Sequence, residues 1–256
     1  MSDGVEIRVY GDPARLTLVY LPGLHGDWTL VGRFRRALRD DVRFVEVTYP
    51  RTLTWTLEDH AAAVEAALAE AGIARAWVLA ESFSSQVLWH MADRKRFDIE
   101  GVILAGGFVR HPLCWGVRLS ERIAGSISLG LLTQILFGYA RLARVRFGTS
   151  PEALAEIKEF IARRTEPDRQ AAKHRLRLVA DCDPRRIVRE LQTPVYALTG
   201  LFDPIVPWPR VRWWLKRNCP ALREYKIIWA ADHNVLGTGT KLAAECVREW
   251  MSEKSE

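Results

Sequence analysis

Short apolar runs with no polar alternation recur along this chain: Leu16–Leu21 reads LTLVYL and Trp77–Ala80 reads WVLA. A strand with one face in water alternates apolar and polar side chains, whereas an unbroken run marks a strand buried on both faces. Helices must cover such strands, and helical patterns do lie between them. Trp28–Arg39 is amphipathic, Leu57–Ala71 is Ala-rich with Glu58, Asp59, Glu65 and Glu70 spaced along it, and Phe83–Met91 follows the run at Trp77. Val42–Val47 and Ile99–Leu104 add two strands, and Val5–Tyr10 a short one before the turn Gly11-Asp12-Pro13. This order predicts an α/β fold with a mostly parallel, doubly wound sheet.

From Phe108 to Asp183 the alternation stops. The segment is helical in composition and rich in arginine, from Arg118 and Arg122 to Arg175 and Arg177, and Ser150-Pro151-Glu152 has the form of a helix start. The α/β pattern resumes with Ile187–Leu191, a strand at Pro194–Thr199, a helix at Val211–Arg217, a strand at Tyr225–Trp229 and a closing helix at Lys241–Met251. The expected organisation is one α/β core, residues 1–107 and 184–256, interrupted by a helical cap at 108–183; 256 residues suffice for it.

Within that block, Ile123–Ala140 carries no charge and is about as long as a membrane span, with Arg122 and Arg141 at its ends. Its glycines, serines, threonine and glutamine weaken insertion. Cap helices whose surplus apolar side chains, Leu132 and Phe137 among them, line a pocket are therefore the favoured expectation, with a membrane contact as the alternative. The arginines of the block are expected to form a solvated face. An acidic partner protein or membrane surface against them is the sharper alternative.

The net charge of +6 does not by itself call for nucleic acid. Cys114, Cys182, Cys219 and Cys246 stand far apart with no metal-ligand spacing, as free thiols in a reducing compartment would. No cofactor or metal motif is expected. The start of the chain lacks a basic stretch followed by an apolar run, so no signal peptide is expected, and with the free thiols a cytoplasmic location is the expectation.

Three loops carry chemistry. Ser82 stands where the run ending at Ala80 turns straight into a helix, with small Ala80 and Ser84 on either side. Strand and helix backbones nearly touch at such a corner, so its flanks must be small; that is the physics of a nucleophile elbow. A plain helix cap is the competing role. Asp203 lies in Gly200–Pro207 (GLFDPIVP) after a buried strand, where it could equally serve as a turn residue. His233 lies in Ala231–Asn234 (ADHN) after the last strand, where a surface histidine is the alternative. Pro22–Asp27 (PGLHGD) is a Gly-rich loop whose backbone N–H groups could face a ligand. Strand carboxyl ends in such a sheet converge on one crevice.

With these motifs in the order serine, acid, histidine, the chain resembles the α/β-hydrolase superfamily with a helical cap. The most specific match is Gly200, Asp203, Val206 and Pro207. The family usually has His-Gly where this chain has Pro22-Gly23, and glycine where it has Ser84; the latter should crowd the elbow. The resemblance implies Ser82 as nucleophile, His233 as general base, Asp203 as its partner, and the backbone amides of Leu24 and Phe83 as oxyanion donors. It implies a small-molecule acyl substrate, a carboxylic ester or thioester, with acyl transfer or non-catalytic binding of an apolar ligand as alternatives, and an acyl carrier as the acidic partner the arginines could meet. Ser84 and Ser85 lie beyond the corner, and His25, His60, His90, His111 and His174 follow no late strand, so structural or surface roles are expected of them.

Overall fold

The computed structural model describes residues 4–126 and 151–252. Seven strands run in chain order: β1 (Glu6–Tyr10), β2 (Thr17–Leu21), β3 (Arg43–Thr48), β4 (Arg75–Glu81), β5 (Asp98–Ala105), β6 (Val195–Gly200) and β7 (Leu222–Ile228). They form one sheet in the order β1-β3-β2-β4-β5-β6-β7, with β1 antiparallel and every other neighbour parallel. The reversal around β2 and β4 puts the centre of the sheet where the apolar runs are longest.

Period-two alternation divides each strand between two cores. Trp77 and Leu79 of β4 join one core, and Val78 and Ala80 the other. Helices α1 (Gly32–Ala37) and α10 (Thr240–Ser252) cover the first face, with Phe34, Val247 and Trp250 buried there. Helices α2 (Leu57–Glu70), α3 (Ser84–Arg94), α7 (Arg185–Glu190) and α8 (Trp208–Asn218) cover the second, with Val64, Val87, Val188 and Leu215. The sheet is thus wound on both faces, as the unbroken apolar runs require. The short α9 (Val235–Thr238) precedes α10.

The helix expected over Trp28–Arg39 is shorter, because Asp27 accepts hydrogen bonds from the amide and hydroxyl of Thr29 and holds the chain in a turn. Helix begins only at Gly32. In contrast, α2 starts where expected, with Thr56 and Asp59 exchanging hydrogen bonds across the first turn.

Between Phe108 and Asp183 the described residues form α4 (Cys114–Ser126), α5 (Pro151–Ala162) and α6 (Glu166–Asp181) and no strand. Helix α4 packs along α6. Residues 127–140 of the uncharged run, including Leu132 and Phe137, lie outside the described residues. Among the described residues no helix is long and apolar enough to cross a membrane. The arginines do not form a uniform solvated face. Arg118 and Arg177 are 62% and 70% exposed, but Arg164 is only 4% exposed and Arg175 2%. Ion pairs explain the inward turn of α5 and α6: Arg164 to Asp27, Arg51 to Asp168, and Arg33 and Arg36 to Glu156.

Candidate active site

The strand-to-helix corner forms as the small flanks demand. Ser82 directly follows β4 with φ of +48°, in the left-handed region that a residue with a Cβ enters only at a cost of about 1–2 kcal/mol. Its amide donates to the Ala105 carbonyl of β5, 3.0 Å away, which helps hold the strained turn. Ala80 and Ser84 are both fully buried. Ser84 does not simply crowd the corner. Its hydroxyl donates to the Pro22 carbonyl and lies 2.7 Å from the Tyr49 hydroxyl, so the residue in the usual glycine position ties the elbow to the loop after β2. The Ser85 hydroxyl is engaged inside the turn, donating to the Ser82 carbonyl at 2.7 Å.

Asp203 divides its contacts between its two carboxylate oxygens. Oδ1 accepts from the amides of Ile205 and Val206 at 2.8 and 2.9 Å, which shapes the loop after β6. Oδ2 lies 2.8 Å from Nδ1 of His233. The other imidazole nitrogen, Nε2, lies 2.8 Å from Oγ of Ser82, 151 residues away in the chain. A carboxylate only accepts, so Nδ1 carries the proton and the neutral ring presents Nε2 as an acceptor to Ser82. Gly106, with φ of +57°, makes room for this ring: a Cβ there would stand 3.3 Å from it.

Burial disfavours the imidazolium of His233. The hydrogen bond and charge of Asp203, with the charges of Glu81 and Asp232 behind it, more than offset that cost, and the pKa is raised above its ordinary 6.5.

Glu81 was not singled out in the sequence, although a charged residue ending an otherwise apolar strand is a visible signal. Its carboxylate accepts from the Tyr20 hydroxyl, brought alongside by the parallel pairing of β2 and β4, and from the Gly23 amide. Burial raises its pKa despite those two donors and the nearby His233. The Pro22–Gly26 loop closes in a turn, the Gly26 amide donating to the Gly23 carbonyl at 2.9 Å. Among the described residues, the amides of Leu24 and Phe83 donate to no protein acceptor.

The other histidines are held by contacts of their own. His60 sits among the rings of Tyr49, Trp55 and Phe83, and burial lowers its pKa to about 4. His25 packs edge-on to Phe160, its pKa also lowered to about 4 by burial and by the charge of Arg164. His90 bonds the Gln86 carbonyl and His174 the Trp55 carbonyl, both at 2.8 Å. His111 accepts the Leu113 amide at 3.2 Å. All four cysteines are unpaired.

No protein-family model and no curated protein matches this sequence. Many solved structures match its fold. An esterase from Thermogutta terrifontis superposes with a TM-score of 0.76 at 19% identity, over 97% of this chain and 93% of that one. The enol-lactonase from Burkholderia xenovorans superposes at 0.78 and 17% identity, over 97% and 96%. MenH from S. aureus superposes at 0.80 and 13% identity, over the full length of both chains.

Proposed function

We propose that this chain, which has the α/β-hydrolase fold, is a serine hydrolase that cleaves a carboxylic ester or thioester through an acyl-enzyme. One observation carries the proposal: His233 lies 2.8 Å from the Ser82 hydroxyl on one side and 2.8 Å from the Asp203 carboxylate on the other. A serine hydroxyl is a weak nucleophile at neutral pH unless a base takes its proton as it attacks, and both distances are within hydrogen-bond reach.

Ser82 Oγ attacks the acyl carbonyl carbon while His233 Nε2 accepts its proton. The electron pair displaced onto the carbonyl oxygen forms an oxyanion, which the amides of Leu24 and Phe83 stabilise. The carbonyl re-forms, the bond to the alcohol or thiol breaks, and His233 returns the proton to that leaving group. Water then attacks the acyl-enzyme with His233 again as base, releasing the acid and restoring Ser82. Asp203 keeps the ring in the productive tautomer and stabilises the imidazolium. The strained corner supports this assignment: it sets the Ser82 hydroxyl at the start of a helix, next to the Phe83 amide, which donates to no described acceptor.

A fluorophosphonate probe tests the proposal directly. Covalent labelling of the wild type, lost in Ser82→Ala, together with hydrolysis of p-nitrophenyl esters, is the expected result. Labelling that survives the substitution would put the nucleophile elsewhere. Labelling without turnover of esters or thioesters would favour acyl transfer to an acceptor other than water.

A further inference from the structure

Arg175 is 2% exposed, yet it comes from the arginine-rich helical block and reaches into the core beneath the Gly-rich loop. Its Nη1 donates to the Leu24 carbonyl and its Nη2 to the Pro50 carbonyl, both at 3.0 Å. The guanidinium carbon lies 5.5 Å from the centre of the Tyr49 ring and 6.0 Å from that of Phe83. Arg175 therefore bonds one of the two residues whose amides would bind the oxyanion, Leu24 through its carbonyl, and lies near the ring of the other, Phe83.

The loop is shaped around this side chain. Gly26 has φ of +78°, and a Cβ there would stand 2.4 Å from Nη1 of Arg175. The Gly26 carbonyl accepts the Tyr49 amide at 2.9 Å, and the Pro22 carbonyl accepts the Ser84 hydroxyl. The peptide that carries the Leu24 amide thus lies between two anchored carbonyls, Pro22 held by the elbow and Leu24 held by Arg175. Among the described residues no carboxylate bonds Arg175, although Asp27 and Asp168 act on it from a distance. Burying a guanidinium against carbonyls and ring faces is costly, and for anchoring a helix alone an apolar side chain would serve as well.

We infer that Arg175 is the positioning residue of the oxyanion site, setting the Leu24 amide from helix α6 by clamping the Leu24 and Pro50 carbonyls. The assignment rests on the serine-hydrolase function proposed above. It makes α6 a part of the catalytic framework as well as a cover. Burial lowers the pKa of Arg175 only to about 10, so the clamp stays charged at neutral pH.

Two measurements on the full chain test it, with Val179→Ala as the control. Val179 is a buried residue of α6 one turn beyond Arg175 and has no polar side-chain atom, so its truncation loosens the helix while leaving both clamp hydrogen bonds in place. In hydrogen exchange of the resting protein, Arg175→Met should speed exchange across residues 23–27, while Val179→Ala should not. This readout needs no activity, so it separates failure of the clamp from failure of the proposed reaction. With a p-nitrophenyl ester, Arg175→Met should lower kcat roughly 100-fold and leave KM within about threefold, because a misplaced oxyanion donor weakens only the transition state. Unchanged exchange in the loop would overturn the assignment. So would an equal loss of kcat in Val179→Ala at a matched loss of Tm, or a loss expressed in KM alone.

Discussion

Replacing Asp203 with asparagine should inactivate the enzyme while leaving it folded, and the structure says why. Oδ1 accepts two backbone amides, at 2.8 and 2.9 Å, and the asparagine carbonyl oxygen can keep both. Flipping the amide would give up two hydrogen bonds worth about 1 kcal/mol each and turn an NH₂ group toward the two backbone N–H groups. The new NH₂ group must then take the place of Oδ2 and point at Nδ1 of His233, 2.8 Å away. A donor there forces Nδ1 to accept, moves the ring proton to Nε2, and leaves nothing to receive the proton of Ser82. The same tautomer reversal in serine proteases costs about 10⁴-fold in kcat, or about 5 kcal/mol of transition-state stabilisation. We expect a loss of roughly 10³- to 10⁴-fold here, with Tm lowered by only a few degrees. Stopped-flow acylation with a p-nitrophenyl ester at pH 8, beside a thermal melt, measures both. A variant within tenfold of wild type would refute the tautomer argument, and a collapse of Tm would show that Asp203 matters chiefly as a turn residue.

Ser82→Ala should lower kcat by roughly 10³-fold or more, and Ser82→Ala combined with His233→Ala should be no slower than either alone, because the proposed reaction uses the residues as one unit; multiplying losses in steady-state kinetics would separate them. Because Asp203, Glu81 and Asp232 raise the pKa of His233 and the proposed reaction uses the neutral ring as base, kcat/KM should climb with pH through a midpoint above 6.5. A pH profile whose midpoint falls below 6.5 would contradict that balance. Gly106→Ala should cost about 1–2 kcal/mol in a denaturant melt through its left-handed backbone, and should slow turnover by pressing on the His233 ring. Ser84→Gly restores the usual elbow residue but leaves the Tyr49 hydroxyl and the Pro22 carbonyl without their partner. It should destabilise the protein by about 1–3 kcal/mol, and a variant as stable as wild type would show that those bonds carry little.

The amino-acid order by itself determined what is local. Unbroken apolar runs call for strands buried on both faces, and the helical patterns between them call for parallel pairing, because only helices can return the chain and cover those faces. Small residues on either side of Ser82 call for a tight corner, and the loops holding Asp203 and His233 follow strands that the same patterns locate. Tertiary structure decided how the charges are used. Arg175 and Arg177 look alike in sequence, yet one is buried in the core and the other lies 70% exposed. The partners of Arg175 are carbonyls 151 and 125 residues away, and a carbonyl leaves no mark in the side-chain sequence. Glu81 reads as an oddity at a strand end until the pairing of β2 with β4 brings Tyr20 alongside it. Backbone preference and apolar periodicity act over a few residues and can be read along the chain. The partner of a buried charge is chosen by whichever distant segment packs over it, and only the folded chain specifies that segment.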